Sequence, residues 1–211
     1  MENTANRVQL HGIPVEQPRF SHFGGDESFY IFALDVPRLS GVSDIINVVA
    51  SKSDISALES CDFMRHDIDI EGELRSFNNT SGIGNRLVIT VLAKKLAFSQ
   101  SPDKNSVFLT GAICKKPNLR QTPLGSTICD LMLAVPRRSG RADYLPCIAW
   151  GDVAQSAAAL SAGDAVTLEG RIQSRKYAKT EPDGTSSEHT AFEVSIKTRE
   201  REGERPLTPP A

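Results

Sequence analysis

The sequence predicts an all-β chain made of two tandem copies of one small barrel, each with a single short helix. Three observations carry that prediction. Apolar and polar residues alternate along most strand-length segments. The chain matches itself at a shift of 99 residues. Helical spacing occurs in one short segment of each copy.

The alternation is clearest in the second copy. Cys129, Leu131, Leu133 and Val135 alternate with Asp130, Met132 and Ala134. Val166, Leu168, Gly170 and Ile172 alternate with Thr167, Glu169, Arg171 and Gln173, and Phe192, Val194 and Ile196 with Glu193, Ser195 and Lys197. A period of two is the pattern of half-buried strands. Between them Val153, Ala157 and Leu160 share a helical face, with Asp152 as the expected N-cap and Gly163 as the stop. The first copy repeats this order in Val8–Leu10, Phe32–Val36, Ile46–Val48, Ile68–Ile70 and Leu87–Val91, with a helix expected over 54–60. Gly24-Gly25-Asp26-Glu27 reads as a hairpin turn. Five strands with one helix between the third and fourth is the order of a five-stranded OB-fold barrel. Gly72 and Gly170, in mid-strand, are expected where such a sheet bends.

The self-match is dense. Asn6-Arg7-Val8-Gln9-Leu10-His11-Gly12 lies on Asn105-Ser106-Val107-Phe108-Leu109-Thr110-Gly111. Leu34-Asp35-Val36-Pro37-Arg38-Leu39-Ser40-Gly41 lies on Leu133-Ala134-Val135-Pro136-Arg137-Arg138-Ser139-Gly140, and Asp44 on Asp143. With one residue less, Ile70-Glu71-Gly72 meets Leu168-Glu169-Gly170. The expected division is a domain over 1–98, a polar linker over 99–104, a domain over 105–198 and a disordered tail over 199–211.

Composition narrows the function. No run of 18 apolar residues is present, and the polar start lacks an export pattern, so no membrane association and a cytoplasmic location are expected. Cys61, Cys114, Cys129 and Cys147 lack metal-ligand spacing and read as reduced, buried thiols; the four histidines are scattered. No metal, no cofactor and no catalytic residue is expected: nucleophile–base pairs and phosphate loops are missing. The net charge of −2 divides unevenly. Residues 1–104 hold 10 Lys/Arg against 14 Asp/Glu, whereas 105–180 hold 10 against 5, a local surplus of 5 positive charges. Attraction to phosphate follows local charge, not the sum.

That basic half holds the single Trp, Trp150, six residues after Tyr144. In a strand, residues i and i+6 share a face. Arg137, Arg138 and Arg141 lie just before them. Aromatic faces beside arginines suit base stacking with phosphate neutralisation. Trp150 and Tyr144 could also be buried barrel residues, and the arginines an ordinary solvated hairpin.

The second half resembles bacterial single-stranded DNA-binding proteins. The resemblance rests on 105–111, on Trp150-Gly151-Asp152-Val153-Ala154, on Leu160-Ser161-Ala162-Gly163-Asp164 and on 166–177, followed by Thr190-Ala191-Phe192-Glu193-Val194. It covers about 90 residues here and is fainter in the first half. It implies base stacking by Tyr144, Trp150 and Tyr177, with Arg137, Arg138, Arg141, Arg171, Arg175 and Lys176 following the backbone. It further implies single-stranded DNA as ligand, a homodimer presenting four barrels, and replication or repair proteins as partners. The first half departs from the pattern. Ile45 stands where Tyr144 would, Ser51 where Trp150 would, and the counterpart of Tyr177 falls near Asn79; Arg75 and Phe77 are its candidate contacts. Phe29, Tyr30 and Phe32 read as core or interface. The first domain is therefore expected to bind DNA weakly or to serve assembly. The charge-balanced, proline-ending tail departs from the acidic tip usual in the family. A protein-interaction barrel, as in primosomal or mobile-element accessories, and a single-stranded RNA binder remain as alternatives.

Overall fold

The computed structural model describes residues 5–38, 40–58, 63–80, 85–180 and 186–201. Its contacts group into two compact units. The first is Arg7–Ser106 with Ile172–Glu193; the second is Met1–Asn6, Val107–Arg171 and Val194–Ala211.

In the first unit the strands are β1 (Asn6–Pro14), β2 (Arg19–Gly24), β3 (Glu27–Pro37), β4 (Ser43–Ser51), β5 (Ile68–Asn78) and β6 (Leu87–Phe98). They are ordered β2-β3-β4-β6-β5-β1, and β1 pairs back onto β3 to close the barrel. Strands β4 and β6 run parallel. Helix α1 (Lys52–Ser56) follows β4. The alternating apolar residues fill the interior: Val8, Leu10, Phe32, Leu34, Val36, Ile46, Val48, Ile70, Leu74 and Val91 are each at most 1% exposed. Each such side chain contributes roughly 1.5–3 kcal/mol by leaving water.

The second unit repeats the plan with β7 (Asn105–Ile113), β8 (Asn118–Gln121), β9 (Thr127–Pro136), β10 (Ala142–Trp150), β11 (Ala165–Thr180) and β12 (Ser186–Arg201). Their order is β8-β9-β10-β12-β11-β7, with β7 returning to β9 and β10 parallel to β12. Helix α2 (Gly151–Ala158) follows β10. The outer parts of β11 and β12 count with the first unit.

Glycine closes both barrels. A Cβ on Gly12 would lie 2.2 Å from the Asp35 carbonyl oxygen, and one on Gly111 2.3 Å from that of Ala134. The same clash, at 2.3 Å, occurs between Gly72 and Leu92 and between Gly170 and Ser195. At Gly72 the β5–β6 register also shifts, so the expected bend is there.

Five expectations need correction. Each copy has a short extra strand, β2 or β8, whose residues are all exposed and so carry no burial pattern. Helix α1 starts at Lys52 rather than 54, because Ser51 caps it: its Oγ accepts the Asp54 N–H at 3.1 Å. Helix α2 starts at Gly151, so Asp152 is not the cap but a first-turn acid. Cys114 is exposed, while Cys129 and Cys147 are buried; Cys61 lies outside the described residues. Residues 199–201, expected in a disordered tail, belong to β12, and 202–211 lie outside the described residues.

Candidate nucleic-acid interface

The site in the second unit is built on one face of β10. Antiparallel pairing sets Tyr144 opposite Ala134, Pro146 opposite Met132 and Trp150 opposite Ile128. Directly opposed residues share a face. The intervening Leu145, Cys147 and Ala149 point into the core and are at most 3% exposed. Tyr144 and Trp150 are instead 53% and 43% exposed, which removes the buried reading of both. Six residues of strand hold them roughly 20 Å apart, room for several nucleotides. Strand β8 adds Arg120 opposite Ile128, hence on the Trp150 side; its Nε lies 2.5 Å from Asp130 Oδ2. Sequence reasoning missed Arg120, since nothing marked β8 as a strand.

The arginines separate into two kinds. Arg137 holds Asp143, whose side chain is fully buried: Nε donates to Oδ2 at 2.8 Å and Nη2 donates to Oδ1. Its guanidinium is thus engaged inside the fold rather than held out for phosphate. Arg138 and Arg141 sit exposed in the turn that follows, where Arg137 N–H donates to Arg141 O at 2.7 Å and Gly140 takes a φ of 77°. Arg171 is half-buried on β11.

The other candidates fall in the first unit, so Tyr177, Arg175, Lys176, Arg75 and Phe77 are not brought into one unit with Tyr144 and Trp150. Tyr177 is half-buried. Its hydroxyl donates to Asn85 Oδ1 at 3.1 Å, its ring stacks on His189 at 5.6 Å, and the Arg175 guanidinium lies 5.7 Å from the ring centroid. Lys176 is exposed and 2.9 Å from Glu188. Arg75 pairs with Glu73, and Phe77 is 52% exposed.

The first unit repeats the ion pair but not the aromatics. Arg38 donates to both oxygens of the fully buried Asp44 at 2.5 and 2.6 Å, and Ser174 adds its N–H at 2.6 Å and its hydroxyl at 2.8 Å. Burial alone would raise the Asp44 carboxyl, but the hydrogen bonds from Arg38 and Ser174 outweigh it and hold the group below its ordinary value. The same hydrogen bonding raises Arg38 above its own.

Residues 104–201 match the family model described as the single-strand binding protein family. This half of the chain is similar to that family over its whole length. The relatives agree with the match. The single-stranded DNA-binding protein 2 of Listeria innocua is 38% identical over 80 residues, covering 35% of this chain and 50% of that protein. The single-stranded DNA-binding protein of Thermus thermophilus is 34% identical over 111 residues, covering 51% of this chain and 39% of that protein. The chain thus spans about half the length, or less, of these curated relatives. The crystal structure of the wild-type single-stranded DNA binding protein from Thermus aquaticus covers 97% of this chain and 96% of its own, with a TM-score of 0.75 at 22% identity. That likeness shows the two-barrel OB fold along the chain. Among the described residues, no helix is long and apolar enough to cross a membrane.

Proposed function

We propose that this chain binds single-stranded DNA with little sequence preference and protects it during replication, recombination or repair. The observation that carries the reading is the pair of half-exposed aromatics, Tyr144 and Trp150, on one face of β10. Every base has a π-face, so such a pair holds any sequence, at roughly 1–3 kcal/mol per stacked base. Arg138 and Arg141 supply phosphate contacts beside Tyr144, with Arg120 and Arg171 as further cations; Arg137 acts through Asp143 in shaping the turn. Tyr177, with Arg175 and Lys176, offers a contact of its own in the first unit. Binding by this route weakens with salt, by about 0.7 log units per log unit of salt for each neutralised phosphate.

We further propose that the repeats, 1–98 and 105–198 with 99–104 as linker, act as two unequal binding domains. A homodimer would present four barrels; light scattering that gives a monomer mass would remove it. A place in the cytoplasm with the nucleoid, a role without catalysis and recruitment of replication or repair proteins follow from the same reading. Fluorescence anisotropy with labelled oligo-dT, mixed-sequence DNA and RNA tests the function. Similar tight binding of both DNAs is expected; no DNA binding at low salt would reject it.

A further inference from the structure

The first unit lacks aromatics at the counterparts of Tyr144 and Trp150, yet the same face is not bare. Ser51, the counterpart of Trp150, is directly opposite Phe29 on β3. Phe29 is in turn directly opposite His22 on β2. All three therefore share the outer face, away from the core residues Phe32 and Leu34. The Phe29 and His22 rings are stacked, with centroids 5.1 Å apart and planes 9° from parallel.

Two local features build this pair. The β2–β3 register shifts between Phe20 and His22, leaving Ser21 as the extra residue of a bulge. The bulge turns His22 onto the Phe29 side and sets Phe20 against Phe23 instead, with ring centroids 5.0 Å apart. Gly24 leaves room for the Phe29 ring: a Cβ there would come within 2.7 Å of it. Arg19, opposite Ile31, adds an exposed cation on the same face; Glu16 lies 3.9 Å from its Nε. The acidic neighbour Glu27 accepts a hydrogen bond from Ser53 at 2.8 Å.

We propose that the first unit carries its own base-stacking platform, the Phe29–His22 pair, displaced from β4 to the neighbouring β3 and β2. Its ligand is an unpaired nucleobase of a single strand. A base laid on the exposed His22 ring would continue the stack already begun by Phe29. The platform works by stacking more than by charge, because residues 1–104 carry four more acidic than basic side chains. This inference rests on the reading of the chain as a single-strand binder.

The test uses the full chain with Trp150→Phe and Phe29→Trp, so that the one remaining indole reports on this face. Long oligo-dT carrying a fluorophore reports total binding by anisotropy in the same samples. Strong quenching of the indole, reversed by salt, is expected. His22→Ala, at an exposed position, is expected to lower affinity for long oligo-dT about five-fold or more. Oligo-dT binding with unchanged indole emission and an unchanged His22→Ala affinity would overturn the platform alone. Failure of the wild-type chain to bind oligo-dT would overturn the underlying reading as well.

Discussion

At the start of its helix the first unit has Ser51, and the second has Trp150. Ser51 caps α1, accepting the Asp54 N–H and bonding to the Asp54 carboxylate at 2.6 Å. Trp150 occupies the same position before α2 and makes no side-chain cap. A capping hydroxyl contributes about 1 kcal/mol. The second unit forgoes it and exposes an indole. The same contrast runs along the strand: Ile45 stands for Tyr144 and Val42 for Arg141. What the copies share is different in kind. Both keep the Arg–Asp pair across the turn and the glycines that close the barrel. Shared features hold the fold, and in the proposed function the features found in one copy are those that meet the ligand.

If that division is right, the shared pairs should be interchangeable in their effect. Arg38→Ala and Arg137→Ala each strand a fully buried carboxylate and should each destabilise by about 3–5 kcal/mol. Urea unfolding checks this. A loss confined to DNA affinity in Arg137→Ala, with stability unchanged, would move Arg137 to the ligand side.

The unshared aromatics should behave oppositely. Trp150→Ala should weaken oligo-dT binding by about 1–3 kcal/mol, with the fold intact by circular dichroism. Ser51→Ala should leave the affinity within error of wild type.

A smaller effect sharpens the trade at the helix start. Trp150→Ser should raise thermal stability by up to about 1 kcal/mol while reducing binding, and Ser51→Ala should lower stability by a similar amount. A Trp150→Ser protein that is both less stable and a weaker binder would mean that the indole also packs the fold.

The smallest effect concerns acid. Because Asp44 titrates below its ordinary value when folded, its contribution is present above about pH 4 and is lost as pH falls through the lower folded value. Asp44→Asn should therefore flatten the acid limb of the stability curve, measured by urea midpoints between neutral and strongly acid pH.

Much of this was legible in the sequence, and the illegible parts have physical reasons. The strands of the barrels show because one face of each is buried, which forces a period of two. Strands β2 and β8 have both faces exposed and are held by backbone pairing to β3 and β9, so they leave no such trace. With β2 hidden, its bulge was hidden too, and nothing in the sequence decided between core and interface for Phe29, which faces outward. The start of α2 was missed because Asp is a good cap and Trp a poor one; local preference yielded to an exposed aromatic. The role of Arg137 had a signal in the self-match, where Arg38 and Asp44 recur as Arg137 and Asp143 although the nearby aromatics do not.

The central claim is that Trp150 stacks bases, and one titration tests it most directly. The chain has a single Trp, so its emission reports that position alone. Added oligo-dT should quench it strongly at low salt, and raised salt should restore it. Unchanged emission at an oligo-dT concentration where anisotropy shows the strand fully bound would contradict the account.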